Sequence, residues 1–385
     1  MPLWRALVFF GVVLSLAFGL HYFLWARLVR DTAIPAPYGR VLTIAIAVLG
    51  ALLPASFLLM RGPRALSGPV TWVAFTWMGF MFLLFIALVP AEVVRQVAKA
   101  VGAPDPERRQ FLARALAGLV AATAFVGGSV GVVNALREVR ERKITIKLKK
   151  LPSSLSGYRI VQLTDVHVGP TIGRDFVEDI VRRVNALTPD LIVITGDLVD
   201  GSVGELAHHV APLGDLRAKD GVFFVTGNHE YYSGADEWIA HLEKKLGIRV
   251  LRNERVPIRG TGPEGFDLAG VDDAHAHQFG NGHGMDVTRA LAGRDAARAC
   301  VLLAHQPKAI FKAAELGACL QLSGHTHAGQ IFPFTYFVKL DQPYVSGFAT
   351  HGDHTQIYVS EGTGYWGPPM RLGTWAEITN IELVA

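Results

Sequence analysis

The chain has 385 residues, 50% of them apolar and only 18% charged, poorer in charge than an ordinary soluble protein. Its charges are unevenly spread: up to Leu136 there are 11 Lys/Arg and 4 Asp/Glu, net +7, whereas from Arg137 onward there are 26 and 29, net −3. Two compositions therefore meet near residue 137, and neither is the strongly basic surface that nucleic-acid binding needs, so no nucleic acid is expected as a partner.

Four long apolar stretches come first, approximately Leu3–Trp25, Val41–Met60, Val70–Val89 and Phe111–Val133. Each is about 20 residues, the length with which a helix crosses the hydrocarbon of a bilayer. Charges are nearly absent inside the first three. Arg27, Arg30, Arg61, Arg64, Arg95 and Lys99 sit at the breaks, and Trp4, Trp25 and Trp72 lie near the ends, where amphipathic rings prefer the interface. An all-α bundle of four transmembrane helices over residues 1–136 is the expectation. His21, near a span end, reads as interfacial and takes no role.

The fourth stretch follows Glu107-Arg108-Arg109-Gln110-Phe111-Leu112. That run resembles a twin-arginine export signal, or serves as an ordinary basic flank. With the remainder of the chain outside, the inner segments hold Arg27, Arg30, Arg40, Arg95, Lys99, Arg108 and Arg109, and the outer ones Arg5, Arg61 and Arg64. This count follows the positive-inside rule and favours a multi-pass cell-membrane protein with its C-terminal part on the extracytoplasmic side. A basic run then follows at Arg137, Arg140, Arg142, Lys143, Lys147, Lys149 and Lys150, and it pulls the other way. It suits anionic headgroups or a solvated linker, and residues 137–156 are expected to be a basic juxtamembrane linker.

From residue 157 the pattern changes to short apolar runs: RIVQLTD, DLIVITGD, GVFFVTGN, CVLLAHQ, CLQLSGH and QIYVSEG. All read as buried strands. Amphipathic stretches at Asp175–Leu187 and Asp236–Leu246 read as helices, and Gly201–Gly204 and Asn281–Gly284 as loops. The alternation indicates an α/β or layered sandwich domain over 157–385. Cys300 and Cys319 sit in apolar runs and are expected as buried free thiols.

Five of these strands end in chemistry. Asp165 and His167 follow the first, Asp197 the second, Asn228 and His229 the third, His305 the fourth, and His325 and His327 the fifth. Ligands of layered α/β folds collect outside the carboxyl ends of strands. Asp and His, with no thiolate, suit Mn, Fe, Zn or similar divalent ions. Residues two apart on an extended segment point the same way, so Asp165 with His167, and His325 with His327, can each present a pair to one site.

The ordered set Asp-x-His, Gly-Asp-x-x-Asp, Gly-Asn-His-Glu, His, Gly-His-x-His resembles the calcineurin-like metallophosphoesterase superfamily across the whole globular half. Gly-His-Thr-His-Ala-Gly-Gln and the tail around Gly362–Leu372 resemble its membrane-associated YkuE/YaeI-type branch. The resemblance implies an α/β (α+β) four-layer β-sandwich flanked by helices, with two divalent metal ions at one edge. By motif position one ion would take Asp165, His167, Asp197 and His327, and the other Asp197, Asn228, His305 and His325, with Asp197 shared. The pair would clamp a phosphoryl oxygen and supply a hydroxide for in-line attack. His229 would meet the leaving group as proton donor and Asp200 would orient it. Glu230 has no assigned duty beyond a salt bridge.

One departure stands out: Gly201 follows Asp200 where the serine/threonine phosphoprotein phosphatases carry Arg, which argues against a phosphoprotein substrate. His275, His277 and His283 occupy a Gly-rich stretch that reads as a solvated loop, a pocket lining or a further ion site. The function implied is a membrane-anchored, two-metal phosphoesterase, a phosphodiesterase in preference. Its substrate would be lipid-, envelope- or nucleotide-sugar-linked, and no obligate protein partner is evident. The alternatives are an inactive metal-binding membrane protein that engages a partner, and a hydrolase of the UDP-2,3-diacylglucosamine pyrophosphatase type. A transporter ranks last, because the spans carry almost no buried ionisable residues.

Overall fold

The computed structural model describes residues 3–59, 64–102, 105–280 and 282–385. Met60, Arg61 and Asn281, which the sequence assigned to a span end, an outer segment and a loop, lie outside the described residues. Two compact units emerge: Met1–Val133 with Gly367–Met370, and Asn134–Trp366 with Arg371–Ala385.

The first unit holds four helices: α1 (Leu3–Trp25, continued by a π-turn Ala26–Arg30), α2 (Ala36–Leu59), α3 (Arg64–Ala100) and the greater part of α4 (Pro106–Leu136). All four are long and apolar enough to cross a membrane. Their outward surfaces are apolar too; Phe18 is 74% exposed and Leu58 82%. Water would penalise such a surface, and lipid would not. The chain is thus a membrane-associated protein, as its helices and its relatives below agree.

Two features of this unit go beyond the expectation. His21, given no role from the sequence, is buried and partnered: its Nδ1 lies 2.7 Å from the Ala17 carbonyl, and Trp77 Nε1 donates to its Nε2 at 2.9 Å. Gly50 makes the room, since a Cβ there would stand 2.9 Å from the ring. And α3 does not stop at Val89 but runs through Pro90 to Ala100. Its added turns carry Glu92 and Arg95, which close a ring with Arg27 and Asp31: Arg27–Asp31 2.6 Å, Arg95–Asp31 2.9 Å, Arg95–Glu92 2.9 Å and Arg27–Glu92 3.0 Å. Two cations and two anions neutralise one another, which lowers the cost of charge next to hydrocarbon.

In the second unit the elements are β1 (Arg140–Lys147), β2 (Tyr158–Leu163), α5 (Arg174–Ala186), β3 (Leu191–Ile194), α6 (Val203–Val210), β4 (Val222–Phe224), α7 (Asn228–Ser233), α8 (Ala235–Leu246), β5 (Arg249–Val250), β6 (Glu254–Ile258), β7 (Phe266–Gly270), α9 (Val287–Leu291), β8 (Cys300–Leu303), α10 (Ile310–Glu315), β9 (Leu320–Ser323), α11 (Thr335–Val338), β10 (Gly347–His351), β11 (Thr355–Val359) and β12 (Glu377–Val384). They build two six-stranded sheets, ordered β1-β12-β2-β3-β4-β5 and β10-β11-β9-β8-β7-β6. The strands β2 to β5 are parallel, and so are β7, β8, β9 and β11.

Strand alternation explains the layering. Ile160, Leu191, Val193 and Phe223 of the first sheet pack against Leu268, Val301, Leu320 and Tyr358 of the second. The opposite face of the first sheet, with Val161, Leu163, Ile192 and Phe224, is covered by Val177, Ile180 and Val184 of α5, Leu206 of α6 and Trp238 of α8. On the far face of the second sheet Ala269, Cys300 and Leu302 pack against Val287, Ala290 and Leu291 of α9 and Ala313 of α10. The order is helix, sheet, sheet, helix: a four-layer sandwich. Both cysteines are free and buried.

The stretch read as a linker contains a strand. β1 pairs in parallel with β12, Arg140 opposite Glu377 through Lys147 opposite Val384. Its basic side chains point mostly to solvent, and the Arg140 guanidinium lies 3.2 Å over the Trp375 ring. A partner strand some 240 residues away leaves no local trace.

Candidate metal centre

The described chemistry-bearing residues sit where strands of both sheets end. Asp165 lies two residues beyond β2 and Asp197 three beyond β3; Asn228 opens α7 after β4; His305 and His325 lie two beyond β8 and β9. These turns are not extended. Asp165, His167, Asp197, His325 and His327 all have left-handed backbones, φ +51°, +53°, +52°, +72° and +47°. Such conformations cost about 1–3 kcal/mol each for residues with a Cβ and cluster at functional sites. His325 and His327 thus lie on a turn rather than an extended segment, and their rings join different groups.

One group is Asp165, His167 and His327; another is Asp197, His305 and His325; a third joins His167, Asp197 and His229, with ligand atoms in each group within 4.8 Å of one another. His167 Nε2 faces His327 Nε2 at 3.1 Å, and His327 Nε2 lies 3.3 Å from Asp165 Oδ1. His305 Nε2 stands 3.1 Å from Asp197 Oδ2 and 3.2 Å from His325 Nδ1. The other ring nitrogens are already engaged. His167 Nδ1 donates to Asp200 Oδ1 at 3.1 Å, and His305 Nδ1 donates to the Thr195 carbonyl at 2.8 Å. That orientation leaves a lone pair on each Nε2 aimed inward. Asn228 Oδ1 is buried with no hydrogen-bond partner. Facing lone pairs, two buried carboxylates and an orphaned amide oxygen are a donor set that divalent cations satisfy. Six of the seven residues expected as ligands fall in these groups, and Asn228 adjoins His229, whose backbone N–H donates to Asp197 Oδ1.

Charge balances follow from this crowding. Burial opposes ionisation of Asp197, but His305 and the other imidazoles outweigh it and hold the carboxyl well below the usual range. Burial and the neighbouring His305 push His325 down to about 3. His229 is raised to about 9, since Asp197 and Asp200 overcome the burial that would lower it. Its Nδ1 donates to Asp200 Oδ1 at 2.5 Å and its Nε2 lies 4.0 Å from Asp197 Oδ2. One oxygen of Asp200 thus receives both His167 and His229.

Several contributors were not legible in advance. Glu230 forms no salt bridge. Fully buried, it accepts backbone N–H groups of Asp197 (3.0 Å), Leu198 (2.8 Å) and Gly227 (2.6 Å), tying two ligand turns together. Burial, then the charge of Asp197, pushes its carboxyl up to about 7. Thr164 Oγ1 donates to Asp165 Oδ2 at 2.6 Å. Arg371, wholly buried, reaches the Gly364 and Glu361 carbonyls and stands 3.3 Å from His327 Nδ1. An exposed aromatic rim flanks His229: Tyr232 at 5.4 Å and Trp366 at 5.7 Å between ring centres, with Phe279 5.8 Å from Tyr232. Glu230, as the last residue of Gly-Asn-His-Glu, carried a signal, and Trp366 and Arg371 lie in the Gly362–Leu372 tail that carried one too.

The other histidines part company. The His283 ring is enclosed by Asp236 (2.9 Å), Tyr231 Oη (3.1 Å) and Arg252 (2.7 Å), so it is not solvated. His275 lies 3.2 Å from Gln306 Nε2, and His277 is exposed. Among the described residues none of the three joins an ion-holding group. Gly201, at the position of the absent arginine, accepts from Trp238 Nε1 at 2.9 Å.

A family profile described as calcineurin-like phosphoesterase matches residues 158–329. The chain is 42% identical to the bovine (Bos taurus) "Transmembrane protein with metallophosphoesterase domain" over 81% of its own length and 73% of the relative's. Its identity to the zebrafish (Danio rerio) protein of the same name is 36%, over 94% and 85%. With the "Uncharacterized metallophosphoesterase YkuE" of Bacillus subtilis it shares 31%, over 72% and 97%. On this profile, these relatives and the sandwich that carries the site, the chain belongs to the calcineurin-like metallophosphoesterase family.

Proposed function

We propose that this protein is a membrane-anchored, two-metal phosphodiesterase whose substrate carries an apolar or lipid-linked leaving group. The reading rests on one observation above others: Asp197 is shared between ligand groups, and His229, held by Asp200, stands beside it. Asp165, His167, Asp197 and His327 would hold one cation, and Asp197, Asn228, His305 and His325 the other. Bound there, the two ions would polarise the phosphoryl oxygens and lower the pKa of water. The chain's own part is orientation and proton handling. Asp200 fixes the His229 ring through Nδ1 and leaves Nε2 to carry a proton to the departing oxygen. Glu230 holds the Asp197 and Gly227 turns in register, and the rim of Tyr232, Phe279 and Trp366 offers apolar surface to that leaving group.

We further assign residues 1–136 to the anchor and 140–385, with β1 in its sheet, to the hydrolase, acting on the extracytoplasmic side, which the arginine distribution favours; a topology reporter fused at the C terminus reads that side. Hydrolysis of bis(p-nitrophenyl) phosphate with added manganese tests the chemistry. The full chain turns it over and Asp197→Ala reduces the rate to background. Turnover surviving in Asp197→Ala would place the activity elsewhere.

A further inference from the structure

Apart from the rim beside His229 and a few scattered rings such as Phe311 and Phe348, the exposed large apolar side chains of the second unit gather in one stretch. Within nine residues Phe332 (52%), Tyr336 (60%), Phe337 (52%) and Leu340 (84%) stand exposed. The stretch includes the one-turn helix α11, with Phe332 edge-on to Tyr336 at 6.0 Å and Lys339 Nζ 5.4 Å over the Tyr336 ring. Such a density of exposed aromatics on one loop is a contact surface, not the scatter of single residues found on any protein. The loop is also held firmly. Phe332 N donates to the Leu372 carbonyl at 2.9 Å, Thr335 Oγ1 to the Ala328 carbonyl at 2.7 Å, and Gln330 Nε2 to the Trp366 carbonyl at 2.9 Å. Ala328 follows His327 directly, and Trp366 belongs to the rim beside His229.

We propose that residues 332–340 are a membrane-docking segment that seats in the interfacial layer of the bilayer and brings the metal centre to phosphoesters held there. Three observations select a lipid surface over a protein partner. The chain is membrane-associated through helices of crossing length, so a bilayer is its constant neighbour. Rings of Phe and Tyr with leucine and a single lysine match the headgroup–acyl boundary, where aromatic rings settle and lysine meets anionic lipid. Between Phe332 and Leu340 there is no acidic side chain and no alternation of charge to specify a protein surface.

The test uses the full-length protein in nanodiscs of phosphatidylcholine with a minority of phosphatidylglycerol. A nitroxide is placed through Tyr336→Cys, or through Leu340→Cys as a second position; both native cysteines are buried. A control label goes to Lys244→Cys on exposed α8. Docking makes the ratio of relaxation by oxygen to relaxation by a water-soluble nickel chelate several-fold higher at 336 and 340 than at 244. A ratio equal to that at 244 means a solvated loop, and low accessibility to both relaxants means packing against protein. Either result overturns the proposal. Because the readout needs no turnover, it stands apart from the phosphodiesterase reading.

Discussion

A single carboxylate oxygen of Asp200 accepts from Nδ1 of both His167 and His229, and in the proposed reaction it orients the first toward the cations and the second toward the leaving group. The two histidines make separable demands. His229→Ala is expected to keep its full metal content, measured by elemental analysis, and to lose about 10²–10⁴-fold in rate on an alkyl phosphodiester. It should lose far less on a p-nitrophenyl ester, whose leaving group needs no proton. Equal losses on the two would remove the proton-donor role. Glu230 makes the opposite prediction. Glu230→Ala leaves three buried backbone donors without an acceptor, at about 1–3 kcal/mol each, so thermal unfolding should reveal a destabilisation of about 3 kcal/mol or more. A variant within 0.5 kcal/mol of the parent, roughly the scatter of surface substitutions, would show that water replaces the carboxylate.

Elements differ in how far they can be read from their own residues. β2, β3, β4, β8, β9 and β11 are short local runs rich in apolar side chains, and each is present. α5 and α8 start within one residue of the expected positions, because their apolar faces repeat with helical period. β1 was hidden: its alternating basic residues look like a solvated tether until β12, supplied by the other end of the unit, gives them a ladder. The ligand residues were legible because their motifs are short and contiguous. Tyr232 was not, and Trp366 and Arg371 stood in the Gly362–Leu372 tail without a role, since only the fold brings them beside His229 and His327. The histidine turn at 325–327 was misjudged as extended, and its left-handed residues divide the two rings between groups. Glycine is part of the same construction. Gly196 has φ +91°, and a Cβ there would stand 2.6 Å from Gly227 N and 2.8 Å from His305 Nδ1. Gly204 in α6 has open space around it. Gly196→Ala should cost more than about 2 kcal/mol and weaken metal binding, whereas Gly204→Ala should stabilise by about 0.5–1 kcal/mol. Matched effects of the two, read by denaturant unfolding, would contradict the tight packing of the ligand turns.

At the scale of the whole molecule two kinds of physics meet in one chain. Helices with apolar outer surfaces require lipid, and four of their charged side chains, Arg27, Asp31, Glu92 and Arg95, are gathered into one ring of ion pairs. The sandwich buries its core between two sheets, and its strand ends supply the donors. The central claim is that these donors hold a pair of cations through a shared Asp197, and metal stoichiometry tests it most directly. Full-length protein stripped with a chelator, reloaded with manganese and desalted should retain two ions per chain, and Asp197→Asn should retain at most one. Retention of a single ion by the parent chain, or of two by Asp197→Asn, would contradict the account.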